Sequence, residues 1–82
     1  MYNPSAESDV PPPIALQKQF DYDGSGNLIY EGWAAPGLAT SAAVWAIKQN
    51  TYSGANLTAV KWAVGDSAFT NIWDNRAGLS YS

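Results

Sequence analysis

The clearest chemical pattern in this sequence is an acidic, glycine-rich run near its start. The run resembles the start of a calcium-binding EF-hand loop, whose positions 1, 3, 5 and 6 would be occupied by Asp21, Asp23, Ser25 and Gly26. The twelfth position of such a loop requires a bidentate Glu, and in this sequence it is Gly32. We therefore predict a hairpin turn whose side chains hydrogen-bond to their own backbone, with no metal ion or other cofactor.

Acid–base and nucleophilic catalysis are the next chemistries to consider. The chain has no His and no Cys, so it has no imidazole base, no thiolate nucleophile and no zinc site of the usual kind. Its seven Asp and Glu residues include possible carboxylate pairs of the kind that glycosidases use, but a sheet of this size offers no deep cleft between them. We expect no enzymatic activity.

Four tryptophans admit two interpretations: Trp33, Trp45, Trp62 and Trp73. As core residues they would fill the interior of a small domain. As an exposed platform, flat rings beside Asn and Asp would stack on sugar rings, as in many carbohydrate-binding modules. Trp33 and Trp62 occupy matching positions in an internal repeat, which favours the core interpretation, and a glycan ligand is the alternative.

Length and composition exclude several classes of protein. A chain of 82 residues forms at most one small domain, and without Cys or His its stability must come from an aromatic core or from association with other subunits. A net charge of −3 without a basic run argues against nucleic-acid binding. No apolar stretch approaches the roughly 20 residues that span a bilayer, and no signal-peptide pattern is present. We expect no membrane partner and synthesis in the cytoplasm.

The internal repeat predicts the elements that position these residues. In two stretches 29 positions apart, a Gly/Asn turn precedes a run of strand length that ends at Trp-Ala, six residues after Asn27 and after Asn56. A turn followed by an alternating run is typical of the returning strand of a β-hairpin. The first predicted hairpin pairs residues 18–22 with residues 28–34.

The second predicted hairpin begins with an ambiguous segment, residues 42–52. A cap at Thr40 or Ser41 would make it a helix, but we favour a strand because the segment leads directly into a turn at 53–56. In that strand Trp45 and Ile47 share one face. We predict that this face meets the Val60 and Trp62 face of the next strand, which would place Trp62 in the core.

The end of the chain has a helical pattern. Asp66 is a suitable N-cap, Phe69 and Trp73 recur at helical spacing, and Gly78 is suited to the left-handed position that ends a helix. We predict one or two helical turns that cover an open end of the sheet, followed by a short strand at 79–81.

Arg76, the only arginine, has a planar guanidinium suited to a bidentate contact with a carboxylate. Its partner would be Asp74 or Asp66 of the same chain, or a carboxylate of another subunit, and a solvated side chain is the remaining alternative. Asp74 and Arg76 are therefore candidate interaction residues.

Residues 1–19 differ in composition from the rest and are interpreted as an extended arm. Three consecutive prolines favour polyproline II and cannot donate to a sheet. The arm is either a disordered terminus or a segment that becomes ordered across a neighbouring subunit. Its candidate interaction residues are Tyr2, Pro11, Pro12, Pro13 and Ile14.

Together these patterns predict an all-β protein. We expect a small antiparallel sheet or sandwich of two hairpins at residues 20–82, with a short C-terminal helical turn, preceded by the extended arm at residues 1–19.

From about residue 22 to the end, the sequence resembles a family of short structural proteins encoded by tailed bacteriophages. The matching phrases are Ser-Gly-Asn-Leu-Ile-Tyr at 25–30, Ala-Pro-Gly at 35–37, Ala-Thr-Ser-Ala-Ala at 39–43, Trp-Ala-Ile-Lys at 45–48, Val-Lys-Trp-Ala at 60–63, Gly-Asp-Ser at 65–67 and Ile-Trp-Asp-Asn-Arg-Ala at 72–77. The last phrase is the most specific. The chain departs from the family pattern at Glu31 and Gly32, where Lys or another polar residue is usual, and the arm lies outside the resemblance.

The resemblance implies a role in the virion and carries no catalytic residues. We expect a non-enzymatic, multicopy structural component of a phage particle that decorates or cements the capsid or belongs to a tail or fibre. Its expected partners are other virion proteins and further copies of itself, and the alternative is a carbohydrate-binding adhesion module.

Overall fold

The computed structural model describes residues 15–82. Four strands form an antiparallel sheet in the order β1-β2-β3-β4, with β1 at Gln17–Tyr22, β2 at Leu28–Ala34, β3 at Ala43–Ser53 and β4 at Asn56–Trp62. A short strand, β5 (Asn71–Ile72), pairs with the start of β3, and a 3-10 helix follows at Trp73–Gly78. The predicted all-β antiparallel fold is confirmed. Within residues 15–82 no helix has the length and apolarity needed to cross a membrane.

Both predicted hairpins are present. β1 pairs with β2 around the turn after Tyr22, and β3 pairs with β4 around the turn after Ser53. The segment at 42–52 is a strand, as favoured, because its pairing with both β2 and β4 satisfies its backbone on each side. Strand β1 begins at Gln17, so residues 17–19 of the predicted arm belong to the sheet. Residues 1–14, which carry most of the rest of the arm, lie outside the described residues.

The sheet has two faces with different surroundings. Because successive side chains of a strand point to opposite sides, the register of the paired strands assigns each residue to one face. The inner face carries Asp21, Tyr30, Gly32, Ala34, Trp45, Ile47 and, just beyond β4, Ala63. The outer face carries Lys18, Phe20, Glu31, Trp33, Ala46, Lys48, Val60 and Trp62.

The hydrophobic core lies on the inner face, beneath the C-terminal segment (residues 71–82). Trp45 and Ile47 are fully buried at 0% exposure, and Trp73 of the 3-10 helix is 5% exposed against them. The rings of Trp45 and Trp73 are 6.0 Å apart and tilted by 42°. Gly32 makes this contact possible, since a Cβ at that position would lie 2.6 Å from Cε3 of Trp73.

The C-terminal segment differs from its prediction. The helix is a 3-10 helix that begins at Trp73, so the predicted cap at Asp66 is wrong; its carboxylate accepts a hydrogen bond from the Ala68 amide in a local turn. Phe69 precedes the helix and is 47% exposed, and it lies beside Leu16, Ala35 and Val44 at one end of the sheet. In place of the predicted strand at 79–81, Tyr81 forms an isolated bridge with Ala63.

Asparagine side chains hold strands together where backbone pairing ends. The pairing of β2 with β3 stops at Tyr30 and Gln49, and beyond it the Asn50 amide donates to the Leu28 carbonyl at 3.1 Å. Farther along, the Asn27 amide donates to the Gly54 carbonyl at 3.1 Å and so joins the two hairpin turns. These amides add hydrogen bonds between the two hairpins beyond the last backbone pair of β2 and β3.

Candidate binding surface

The outer face presents a pair of tryptophans. Trp33 on β2 and Trp62 on β4 have ring centroids 5.6 Å apart and a tilt of 37°. Their strands are separated by β3, whose Ala46 is paired with Trp33 and is only 3% exposed. The two rings therefore lean toward each other over this small residue, and both remain partly accessible to solvent.

Two lysines flank the Trp33 ring. The ammonium groups of Lys18 and Lys48 lie 5.7 and 5.5 Å from its centroid, within the range of cation–π attraction. Lys48 also forms an ion pair with Glu31 at 3.4 Å, and both of these side chains are mostly buried. The cluster thus has two cations and one anion, which makes it locally positive in a chain whose net charge is −3.

Apolar groups extend the surface on both sides of the tryptophan pair. Phe20 on β1 is 47% exposed and Val60 on β4 is 46% exposed. Large exposed apolar side chains that are clustered with aromatic rings and flanked by charges are typical of a surface that binds a partner. We call these residues, Lys18, Phe20, Glu31, Trp33, Lys48, Val60 and Trp62, the aromatic patch.

The position of Trp62 overturns the prediction that it meets Trp45 and Ile47. The register pairs Trp62 with Lys48 and Val60 with Asn50, so Trp62 lies on the opposite side of the sheet from Trp45. A shift of one residue in pairing exchanges the two faces of a strand, and the sequence pattern of β4 does not contain that information. Trp45 and Trp73 lie in the core, whereas Trp33 and Trp62 are partly accessible and belong to the aromatic patch.

An apolar groove lies at the end of the sheet where the described chain begins. It has a volume of about 290 Å³ and is lined by Leu16, Ala35, Leu38, Val44 and Phe69. Leu16 and Ala35 directly adjoin the pair Gln17 and Ala34, the last pair of β1 and β2. The groove therefore continues the apolar surface beyond Trp33, toward the point where residues 1–14 join the domain.

Arg76 is engaged within its own chain. Its Nε donates to a carboxylate oxygen of Asp21 at 2.9 Å, and its guanidinium lies 4.6 Å from the Trp73 ring. The predicted intrachain partners, Asp74 and Asp66, are wrong because β1 and the 3-10 helix meet on the inner face, which brings Asp21 within reach.

Asp74 itself is exposed, on the rim of an open depression of about 430 Å³. The other candidate interaction residues, Tyr2, Pro11, Pro12, Pro13 and Ile14, lie outside the described residues.

Tyr81 completes the attachment of the C-terminal segment. Its hydroxyl donates to the Arg76 carbonyl at 2.8 Å, and its ring lies 5.7 Å from that of Tyr30. Burial, together with the neighbouring Tyr30, raises the pKa of Tyr81 to about 12. No signal in the sequence links Asp21 to Arg76, because the two residues are 55 positions apart.

The acidic run at 21–27 forms the predicted turn. An Asp23 oxygen accepts hydrogen bonds from the amides of Ser25 at 2.8 Å and Asn27 at 3.0 Å. These bonds, the one from Asn27 first, lower the pKa of the Asp23 carboxyl. Asp21 points to Arg76 instead of sharing an ion with Asp23, and within residues 15–82 no group of three or more acidic side chains is placed to hold a metal.

Comparison of the chain with protein families, with curated proteins and with solved structures finds no match.

Proposed function

We propose that this chain is a non-enzymatic structural component of a tailed-bacteriophage virion, present in many copies. It would decorate or cement the capsid or form part of a tail or fibre, binding other virion proteins through its exposed apolar surface and its N-terminal arm. The family resemblance described above suggests this role, and it also implies that the protein acts in the virion after synthesis in the host cytoplasm.

The observation that carries the proposal is the aromatic patch. A single-layer sheet stabilised from one side needs only its inner face to fold, yet its outer face presents Trp33, Trp62 and Phe20. Partly exposed aromatic rings that cluster with exposed apolar side chains are typical of surfaces buried by a partner. Tryptophan is also the residue most enriched among those that dominate binding energies.

Quantitative mass spectrometry of washed particles from the encoding phage tests this proposal. We expect the chain at many copies per particle, in a stable ratio to the capsid or tail proteins. In a phage that carries Trp62→Ala, the copy number should fall strongly, whereas Lys61→Ala should leave it unchanged because Lys61 points away from the outer face. Absence of the chain from intact particles would overturn the proposal.

The aromatic patch also supports a second candidate function, binding of a glycan. Two partly exposed tryptophan rings beside the polar groups of Lys18 and Glu31 offer flat surfaces and hydrogen-bonding groups to a sugar. Retention of the purified chain on immobilised glycans, in the absence of particles, distinguishes this function. Retention that a folded Trp62→Ala variant loses would favour the adhesion module over the structural protein.

A further inference from the structure

We propose that the aromatic patch of one copy binds the proline-rich segment, residues 10–14, of a second copy of this chain. This inference specifies a partner for the surface on which the proposed function depends. It rests on the proposed function only because it requires more than one copy of the chain. It names the partner of the patch as an extended, proline-containing peptide, preceded by acidic residues, that the chain itself supplies. Copies would then be linked through their N-terminal arms.

The chemistry of the patch fits such a peptide. Proline-rich segments in the polyproline II conformation bind grooves lined by aromatic side chains, since their stiff backbone loses little entropy on binding. Residues 10–14 read Val-Pro-Pro-Pro-Ile, and no charged residue interrupts them. In the polyproline II conformation, at about 3.1 Å per residue, they would extend about 15 Å. Strands β2 and β4 lie about 10 Å apart, so the segment is long enough to cross both Trp33 and Trp62.

The charges of the two surfaces are complementary. The part of the arm before the prolines carries Glu7 and Asp9 and no Lys or Arg. Asp9 lies two residues before Pro11, a distance of about 6 Å in polyproline II. The ammonium groups of Lys18 and Lys48 lie 5.7 and 5.5 Å from the Trp33 ring centroid. A proline seated on Trp33 would therefore bring Asp9 within reach of one of these lysines.

The position at which the arm leaves the sheet favours a second copy over the same chain. The arm joins the domain at Ala15 and Leu16, and Leu16 itself lines the apolar groove beside β1. Because a proline fixes its own φ and favours an extended conformation of the residue before it, the sequence of the run does not favour a reversal of direction. A reversal onto its own outer face would have to occur at Ile14 and Ala15, and neither residue type favours turns.

Complementation between two full-length variants tests the inference. The arm variant replaces Pro11, Pro12 and Pro13 by Ser and keeps the patch, and the patch variant, Trp62→Ala, keeps the arm. Analytical ultracentrifugation should show self-association of the wild-type chain, weakened about tenfold or more in each variant alone, as expected for the loss of a dominant contact. An equimolar mixture of the two variants, labelled with different fluorophores, should form mixed pairs.

Several results would overturn the inference. A wild-type chain that stays monomeric at millimolar concentration would do so, as would mixed variants that form no pairs. If replacing the prolines changes Trp fluorescence in a monomeric chain, the arm folds onto its own patch. If Trp62→Ala fails to fold, Lys18→Glu replaces it as the patch variant. The association that Lys18→Glu loses should then be restored by Asp9→Lys in the partner copy.

This experiment separates the inference from the proposed function because it contains no phage particles. A chain that is monomeric in solution and present in virions would overturn the arm exchange alone. A chain that associates through its arms and is absent from virions would overturn the virion role alone. Lys61→Ala serves as the matched control, since its side chain projects away from the outer face, and it should associate like the wild type.

Discussion

The two faces of this sheet carry pairs of tryptophans with nearly the same geometry and different surroundings. Trp45 and Trp73 on the inner face are 6.0 Å apart with a 42° tilt, and Trp33 and Trp62 on the outer face are 5.6 Å apart with a 37° tilt. The inner pair is sealed by the C-terminal segment, while the outer pair is flanked by lysines and partly accessible. Ring geometry alone therefore does not distinguish a core pair from a binding pair; the groups that cover the rings do.

The small residue beneath each pair serves a different purpose. On the inner face, Gly32 lets the Trp73 ring approach the backbone of β2 from above. On the outer face, the short side chain of Ala46 leaves space above β3, and the rings of Trp33 and Trp62 converge there. The inner arrangement brings a separate segment onto the sheet, whereas the outer one joins two strands of the same sheet and leaves its upper surface open.

The strongest test of this comparison is to truncate one tryptophan from each face. Trp45→Ala should cost about 3–5 kcal/mol of unfolding free energy, which is most of the stability of so small a domain, and should leave it largely unfolded. Trp62→Ala should cost clearly less, because its ring is only partly buried. Urea denaturation and near-ultraviolet circular dichroism measure both. Equal losses would contradict the division into core and patch.

A methyl group added at Gly32 tests how tightly the inner pair is packed. In Gly32→Ala the new Cβ would lie 2.6 Å from Cε3 of Trp73 and 3.2 Å from Cε3 of Trp45. Rings confined on several sides yield only partly, so we expect a loss of about 1–3 kcal/mol in denaturant unfolding. Gly24→Ala is the control, since nothing lies within 4 Å of its added methyl group. A neutral Gly32→Ala would mean that the C-terminal segment is loosely seated.

The ion pair between Asp21 and Arg76 tests the attachment of the C-terminal segment. Both side chains are partly exposed, so their coupling in a double-mutant cycle with Asp21→Asn and Arg76→Met should be only about 1 kcal/mol. The coupling should shrink at high salt because solvent ions screen the pair. The Glu31 and Lys48 pair of the outer face offers a comparison at 3.4 Å. A coupling of zero would show that the ion pair does not contribute to holding Arg76, which also donates a hydrogen bond to the Trp73 carbonyl and stacks on the Trp73 ring.

Removing the Tyr81 hydroxyl should have a small effect on stability at neutral pH and a distinct one in alkali. Its pKa rises from 10.0 to about 12 in the folded protein. Above pH 10 the unfolded chain therefore releases this proton before the folded one does, and the stability that depends on the neutral hydroxyl is present below pH 10 and lost between pH 10 and 12. Tyr81→Phe should cost about 1 kcal/mol at neutral pH and reduce this alkaline decline.

The measurement is thermal unfolding of the wild type, Tyr81→Phe and Tyr22→Phe between neutral pH and pH 12. Tyr22 serves as the control because its ring is mostly exposed. Tyr22→Phe should retain the alkaline decline of the wild type. An identical decline in all three proteins would show that Tyr81 does not contribute to it.

Local residue patterns correctly predicted most of the strands. The Gly/Asn turns at 23–27 and 53–56 place the hairpins, because such residues adopt turn conformations whatever surrounds them. Alternation correctly grouped Trp45 with Ile47 and Val60 with Trp62, since side-chain alternation is a property of each strand by itself. The helical pattern at the end of the chain was less informative, because a single 3-10 turn leaves only a weak periodic signal.

The sequence by itself determined that this protein is an antiparallel sheet of two hairpins, because turns and alternation are encoded over a few neighbouring residues. The tertiary structure alone decided which face became the core. That choice depends on the register between β3 and β4 and on the folding of residues 71–82 over Trp45. The same folding of the C-terminal segment brings Arg76 to Asp21. These are contacts between residues far apart in the chain, whose energies depend on shape and burial and leave no local pattern. The division of four tryptophans into a core pair and a partly exposed pair follows from them.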